Sequence, residues 1–208
     1  MGKNLSPKCK QCRRVGEKLF LKGDRCNLPS CAMVKRNFPP GFHGPKGRKR
    51  QTDYGLQLNE KQKAKKTYNI LEKQFRLTFE TAKKHKGNTS ENLMMLLEAR
   101  LDNAVFRLGF ASSRNQARQL ISHGHILVNG KKVNIPSFQI KTGDVVKIKN
   151  IKKINILKNL SEKLEKYTAP SWVFLEAKEL SGKILHLPTS KEINTNINSQ
   201  MIVEFYSR

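Results

Sequence analysis

The chain has 208 residues, 37% of them hydrophobic, and its 41 Lys+Arg against 16 Asp+Glu give a formal net charge of +25. That length suffices for one large domain or two small ones, and a mean hydropathy of −0.61 leaves room for a modest core only. A charge this one-sided disfavours compaction unless a polyanion offsets it, which argues against a small-molecule enzyme and places a nucleic acid ahead of an anionic membrane as partner. Residues 1–90 carry 23 basic and 6 acidic side chains against 18 and 10 in the remainder, so the N-terminal part is the more electropositive. No apolar run approaches the ~18 residues of a membrane span, and no charged-then-apolar leader with a cleavage site is present. The basic segments also lack the sustained Trp/Phe/Leu face of a membrane-surface helix. The expectation is a cytoplasmic protein with no membrane partner.

In chain order, the first feature is a cysteine cluster. Cys9-x2-Cys12 and Cys26-x4-Cys31 hold every cysteine of the chain. In a cytosolic protein such clustering points to metal ahead of disulfides or incidental thiols. Two short bends bringing two thiolates each to one ion complete a tetrahedron at Zn–S distances of ~2.3 Å. A structural Zn2+ is therefore expected, with an iron–sulfur cluster the weaker rival. Four thiolates leave no open coordination position, which excludes a catalytic role. Lys8, Lys10, Arg13, Arg14 and Arg25 surround the cysteines and favour thiolates. His43, 12 residues beyond Cys31, reads as a backbone or RNA contact in preference to a ligand.

Residues 42–55 form a basic loop without hydrophobic periodicity. A helix is expected from Asn59, with Tyr68, Leu71, Phe75 and Phe79 as its buried stripe. Lys61, Lys63, Lys65 and Lys66 then crowd its first turns, an unfavourable place for cations beside the helix dipole. A local rule broken this way is expected where function requires it. Gly87–Ser90 is a boundary, after which Ser90 caps a long helix carrying Leu93, Met94, Leu97, Leu101, Ala104, Val105 and Leu108 at helical spacing and ending at Gly109.

A second helix runs from Ser113, in a Ser113-x-x-Gln116 capping box, to about Ser122, and Gly124 stops it. Ala117, Leu120 and Ile121 make its inner stripe; Arg114, Asn115, Arg118, Gln119 and Ser122 face outward. Arg114 and Arg118 stack one above the other at i,i+4, and guanidinium forks suit phosphate oxygens. Strands follow at Ile126–Val128 and Lys131–Ile135 around an Asn129-Gly130 hairpin turn, and at Asp144–Ile148. His123 and His125 flank the turn into the hairpin, with Asn129, Lys131 and Lys132 at its tip. Residues 150–168 are expected to be helical in part, Trp172–Phe174 to be buried, and Met201–Tyr206 to dock on another element.

The stretch Leu97-Glu98-Ala99-Arg100-Leu101-Asp102-Asn103-Ala104-Val105-Phe106-Arg107-Leu108-Gly109-Phe110-Ala111, with Ser113-Arg114-Asn115-Gln116-Ala117-Arg118-Gln119 and His123-Gly124-His125-Ile126-x-Val128-Asn129-Gly130, resembles the S-four family of small-subunit ribosomal proteins. Pro39-Pro40-Gly41-x-His43-Gly44, Asp53-Tyr54-Gly55, Glu60-Lys61-Gln62-Lys63, Gln74-Phe75-Arg76, Pro170-x-Trp172 and Ile202–Ser207 extend the likeness over most of the chain, and the four cysteines are similar to the family's zinc-bearing form. Residues 150–168 and 176–200 match it weakly.

The resemblance implies an α+β protein in four parts: a zinc segment at 1–42; a helical domain at 43–92, completed by the tail at 186–208; an inserted RNA-binding module of two helices and a small antiparallel sheet at 93–158; and 159–185 as the remainder of the helical domain. It also implies a primary binder of small-subunit ribosomal RNA that docks at a junction in the 5′ domain and nucleates assembly. At the messenger entrance it sits beside neighbouring small-subunit proteins, and Lys46, Arg48, Lys49 and Arg50 face messenger RNA. RNA contacts are implied for Arg13, Arg14, His43, Tyr54, Lys61, Lys63, Arg76, Arg100 and Arg107, and for Arg114, Asn115, Gln116, Arg118, Gln119, His123, His125, Asn129 and Lys131.

Two other classes fit less well. An RNA-modifying or tRNA-charging enzyme carrying the same module needs a large catalytic domain. The remainder here is too short, and it lacks a nucleophile with its base, a phosphate loop or paired buried carboxylates. A zinc-finger DNA regulator needs a recognition helix beside the metal, and none is evident.

Overall fold

The computed structural model describes residues 2, 4–47, 50–149, 160–177, 179–193 and 195–208. The chain divides into two compact units, residues 1–93 with 195–208, and residues 94–194.

In the first unit, α1 (Lys8–Val15) stops at Gly16, whose φ of 97° puts it in the left-handed region that closes helices. A 3-10 turn at Gly23–Cys26 and a short α2 (Ala32–Lys35) follow. Cys12, Val15, Leu19, Leu21, Cys31 and Met33 bury a small core between them. Helix α3 (Asp53–Thr67) begins six residues before the expected Asn59, because Thr52 caps it by accepting from the Gly55 N–H at 3.2 Å. Lys61 and Lys63 consequently lie in the middle of the helix, so the dipole conflict expected for them does not arise. The Tyr68–Phe79 stripe is divided between two helices: Asn69 turns to φ 53°, and α4 (Glu72–Lys84) starts anew.

Helix α9 (Ser199–Ser207), capped by Asn198, returns to lie against α3. Phe205 packs on Tyr54, and Tyr206 stacks on Phe79 with centroids 4.5 Å apart. The Gln57 side-chain amide donates to Glu204 at 3.0 Å. The tail thus docks as a helix.

Helix α5 (Thr89–Glu98) crosses the boundary of the two units. Its N-terminus is held by Asn88, which accepts from the N–H and hydroxyl of Ser90. The single long helix expected here is broken at Ala99–Arg100, where the backbone pairs with residues 136–140. The N–H groups of Leu101 and Asp102 donate to Phe138 and Pro136, and Ile140 donates to Ala99. The apolar period runs on through the break into α6 (Leu101–Arg107), which is why the periodicity alone conceals it.

The second unit packs α6 and α7 (Arg114–Ser122) on a five-stranded antiparallel sheet of order β2-β1-β3-β5-β4. The strands are β1 (Ile126–Val128), β2 (Lys131–Lys132), β3 (Val145–Ile148), β4 (Val173–Glu176) and β5 (Ser181–Ile184). Asn129 (φ 49°) and Gly130 (φ 77°) make the hairpin turn, with positive φ at both central positions. β2 stops at Lys132, so residues 133–135, expected in the strand, are outside it. At Gly182 a Cβ would sit 2.3 Å from Leu108, so the missing side chain lets β5 lie close on α6.

Residues 160–184 differ from expectation. Helix α8 (Leu160–Glu165), β4 and β5 belong with the 94–194 unit, with β5 pairing β3 directly, rather than completing the helical domain. Leu160, Leu164, Trp172, Val173 and Ile184 enter the same core as Val105 and Ile121. The returning tail is correspondingly shorter, 195–208 in place of 186–208. Of the helical stretch expected at 150–168, residues 150–159 lie outside the described residues.

Candidate nucleic-acid interface

Two buried carboxylates organise the polar edge of the second unit. Glu98, fully buried, accepts from Arg107 Nε and Nη2 at 2.9 Å each and from Asn103 Nδ2 at 2.7 Å. Arg114 Nη2 lies 3.7 Å from the same carboxylate, and Arg114 Nε donates to Asn103 Oδ1 at 2.7 Å. The Arg114 guanidinium also covers the Phe106 ring at 4.7 Å. Asp102 takes Arg100 as a two-pronged partner at 3.1 and 2.8 Å and has Arg118 Nη1 at 3.5 Å. Burial pulls the Arg118 guanidinium below its ordinary pKa, Asp102 opposes that, and Arg100 adds to it.

Four guanidinium groups on two carboxylates leave the network cationic. Ion pairs of this kind are costly to break when one partner is removed, on the order of 3–5 kcal/mol, because the other charge stays buried. Arg100, 3% exposed, is an interior residue, its guanidinium committed to Asp102. Arg107, Arg114 and Arg118 keep side-chain exposures of only 16%, 11% and 12%. The freely outward arginine face expected of α7 is instead a half-buried row, anchored from beneath.

In the same unit Gln119, Ser122, His123, Lys131 and Lys132 are exposed, with Asn115, Gln116 and His125 half-buried. Ser113 caps α7 as expected, accepting from the Gln116 N–H at 3.3 Å. The return bond of the box goes one residue further out, to the N–H of Ser112 at 2.8 Å. Asn129 is exposed, but its side chain is committed to the fold: it donates to Asp144 at 2.8 Å and accepts from the Val145 N–H at 2.9 Å, fixing the hairpin to β3. The His123 and His125 rings stand 6.0 Å apart.

In the first unit the proposed contacts separate into exposed and interior groups. Arg14, His43, Lys46, Arg50, Tyr54 and Arg76 are exposed; Arg76 is bonded to Glu80 one turn along at 3.2 Å. Arg48 and Lys49 lie outside the described residues. Lys61 and Lys63 are 7% and 4% exposed, buried where an outward-facing position is expected. Lys61 bonds Glu72 at 2.7 Å and sits 4.4 Å over the Phe205 ring, while Lys63 bonds Glu17 at 2.8 Å and Glu60 at 3.4 Å. Arg13 is likewise turned inward, donating to the carbonyls of Phe38 and Pro39 at 3.0 and 3.3 Å.

No disulfide joins the four cysteines, and together with Lys8, Lys18, Phe20 and Met33 they line one pocket. Burial pushes the Cys12 thiol up. A backbone hydrogen bond from Leu19 opposes this, and the charges of Cys26, Cys9 and Cys31 push it further up. The Lys22 N–H points at Cys26 Sγ at 3.3 Å. Among the described residues no three His, Cys, Asp or Glu side chains are gathered at ligating geometry. The donor set nonetheless suits a soft divalent ion: four thiols in one small pocket, with backbone N–H groups directed at sulfur.

Residues 3–98 match the family described as Ribosomal protein S4/S9 N-terminal domain, and residues 99–146 match the S4 domain. The chain is 50% identical over 209 residues to small ribosomal subunit protein uS4 of Heliobacterium modesticaldum, 47% to that of Syntrophomonas wolfei and 51% to that of Caldicellulosiruptor saccharolyticus, with all of each chain covered. The chain belongs to the uS4 family. uS4 proteins are structural components of the small ribosomal subunit, and this chain is accordingly not an enzyme.

Within this uS4 framework, the residues that sequence reasoning missed are Glu98, Asp102 and Asn103. A signal for them exists: Glu98 and Asp102 fall at i,i+4 in the stretch from Leu93 to Leu108, whose other residues are apolar except Arg100, Asn103 and Arg107. Carboxylates in such a run are buried with partners or not at all.

Proposed function

We propose that the chain is a primary binder of small-subunit ribosomal RNA, acting in the cytoplasm, that docks at a junction in the 5′ domain and nucleates subunit assembly. The observation that carries this reading is the arginine row held by Glu98 and Asp102, in a unit that also exposes Gln119, His123 and Lys131. Guanidinium groups already fixed in orientation lose little further freedom on meeting phosphate, and their forks match its oxygens. A competition measurement tests it. A 5′-domain junction RNA should displace duplex DNA from the chain, and log affinity should fall with log salt by roughly 0.7–0.9 per phosphate neutralised. Duplex DNA competing as well as the junction would sink the assignment.

The exposed His43, Lys46 and Arg50 support a contact with messenger RNA where it enters the subunit, beside neighbouring small-subunit proteins. Through that contact the chain contributes to translational accuracy. Cys9, Cys12, Cys26 and Cys31 would hold one Zn2+, whose thiolate bonds cross-link a segment with little apolar core of its own. Metal analysis of the purified chain should find one zinc, and loss of it in Cys9→Ser; iron in its place would overturn the zinc assignment.

A further inference from the structure

Phe42 has its side chain almost wholly in water, 92% exposed, the most of any large hydrophobic residue described. We propose that Phe42, with His43 against it, is a stacking platform for an unpaired RNA base.

The exposure is built into an ordered turn. Gly41 takes φ +113°, and the Gly44 N–H returns to the Gly41 carbonyl at 3.1 Å. Gly44 is buried so tightly that a Cβ there would lie 1.9 Å from the Pro39 carbonyl oxygen. Arg13 in turn donates to that carbonyl and to Phe38. The turn therefore cannot fold its apolar tip back without undoing these contacts. The His43 ring meets Phe42 edge-on, centroids 5.3 Å apart at 86°. Such a contact orients an aromatic ring while leaving the greater part of its surface open.

The charge of the flanking sequence selects the partner. Between Asp24 and Asp53 the chain has no acidic residue, and Lys35, Arg36, Lys46 and Arg50 are all exposed. An apolar protein surface would cover the ring and leave these cations unmatched. A single strand satisfies both, with a base on the ring and phosphates on the cations. A paired base is already stacked on its neighbours, so the ligand is an unpaired one.

The inference rests on the reading of the chain as an RNA binder, and the test separates the two. Full-length protein is titrated with a short single-stranded RNA and with an abasic strand of the same length and charge. Wild type should prefer the base-bearing strand by roughly tenfold. Phe42→Ala should bring the two together, Phe42→Tyr should keep the preference, and the salt dependence should be the same for all three. Because the side chain is in solvent, neither substitution disturbs the core. Equal binding of both strands by wild type, or an unchanged preference in Phe42→Ala, removes the stacking role and leaves RNA binding intact. Failure of both strands to bind removes the stacking role, and failure of the 5′-domain junction RNA to bind as well sinks the RNA-binding reading. Phe42-dependent binding to phosphatidylglycerol vesicles with no Phe42 effect on RNA would overturn the proposal in favour of a membrane.

Discussion

Arg107 and Glu98 form a two-pronged ion pair, Nε to Oε2 and Nη2 to Oε1 both at 2.9 Å, in which the carboxylate is wholly buried and the guanidinium keeps an edge in solvent. The pair joins the interior of the module to its rim, so a change at either end is felt at the other. Glu98→Ala strands the Arg107 guanidinium and should cost about 3–5 kcal/mol of unfolding free energy. Denaturant unfolding should show a lower midpoint at unchanged slope, and an unmoved midpoint would refute the role given to Glu98.

The double change Arg114→Ala with Arg118→Ala affects fold and binding together. Both side chains are mostly covered, and both neutralise buried carboxylates. Removing them should weaken junction RNA binding and also lower stability, on the order of 3 kcal/mol. Reduced affinity with a native melting temperature would mean that the two arginines serve RNA alone.

Asn129→Ala removes two side-chain hydrogen bonds to the Asp144–Val145 segment and places an alanine at φ 49°. A loss of about 1–3 kcal/mol is expected. Asn129→Gly restores the backbone freedom but not the bonds, and should recover part of that loss. Equal stability of the two variants would mean that the side-chain bonds carry the whole effect.

Glu72 sets an acid limit on the first unit. Burial alone would raise its pKa, but hydrogen bonds and charge from Lys61 and Lys65 outweigh it and hold the carboxyl at about 2. A carboxyl depressed in the folded state contributes stability above its unfolded pKa of roughly 4.3 and loses that contribution as pH falls towards 2. The group is nearly half exposed, so the effect is a modest one. Tyr206, which donates to Glu72 at 3.1 Å, should report it through its absorbance between pH 4.5 and 2. Glu72→Gln should flatten that limb, and an identical acid profile in the variant would rule Glu72 out.

With zinc on the four cysteines as proposed, chelation should raise hydrogen exchange across residues 8–35 and, through the Glu17–Lys63 bond, in the middle of α3. Residues 94–194 have their own core and should stay protected. Collapse of that protection on metal removal would refute their independence from the cysteine segment.

What could be read in advance was local. The cap at Ser113 and the Asn129-Gly130 turn depend on neighbours within a few residues, and both form. So does the burial of Ala117, Leu120 and Ile121. Helix α3 was obscure because its interior is held by charge: Lys61 and Lys63 find their partners at Glu72 and Glu17, too far along the chain for any periodicity to register. The inward turn of Arg114 and Arg118 has the same origin, since a face looks outward until the carboxylate beneath it is known. The 160–184 segment was misplaced because nothing local distinguishes strands that pair with β3 from strands that pair elsewhere.

The return of α9 to α3 has a consequence for how the molecule comes into being. The N-terminal unit is the first to be synthesised and the last to be finished, because Tyr54, Phe75 and Phe79 wait for Phe205 and Tyr206. At roughly 5–20 residues per second the intervening unit takes on the order of ten seconds to make. Residues 94–194, continuous in the chain, can close their core during that interval, so the two halves mature in the reverse of the order in which they are translated.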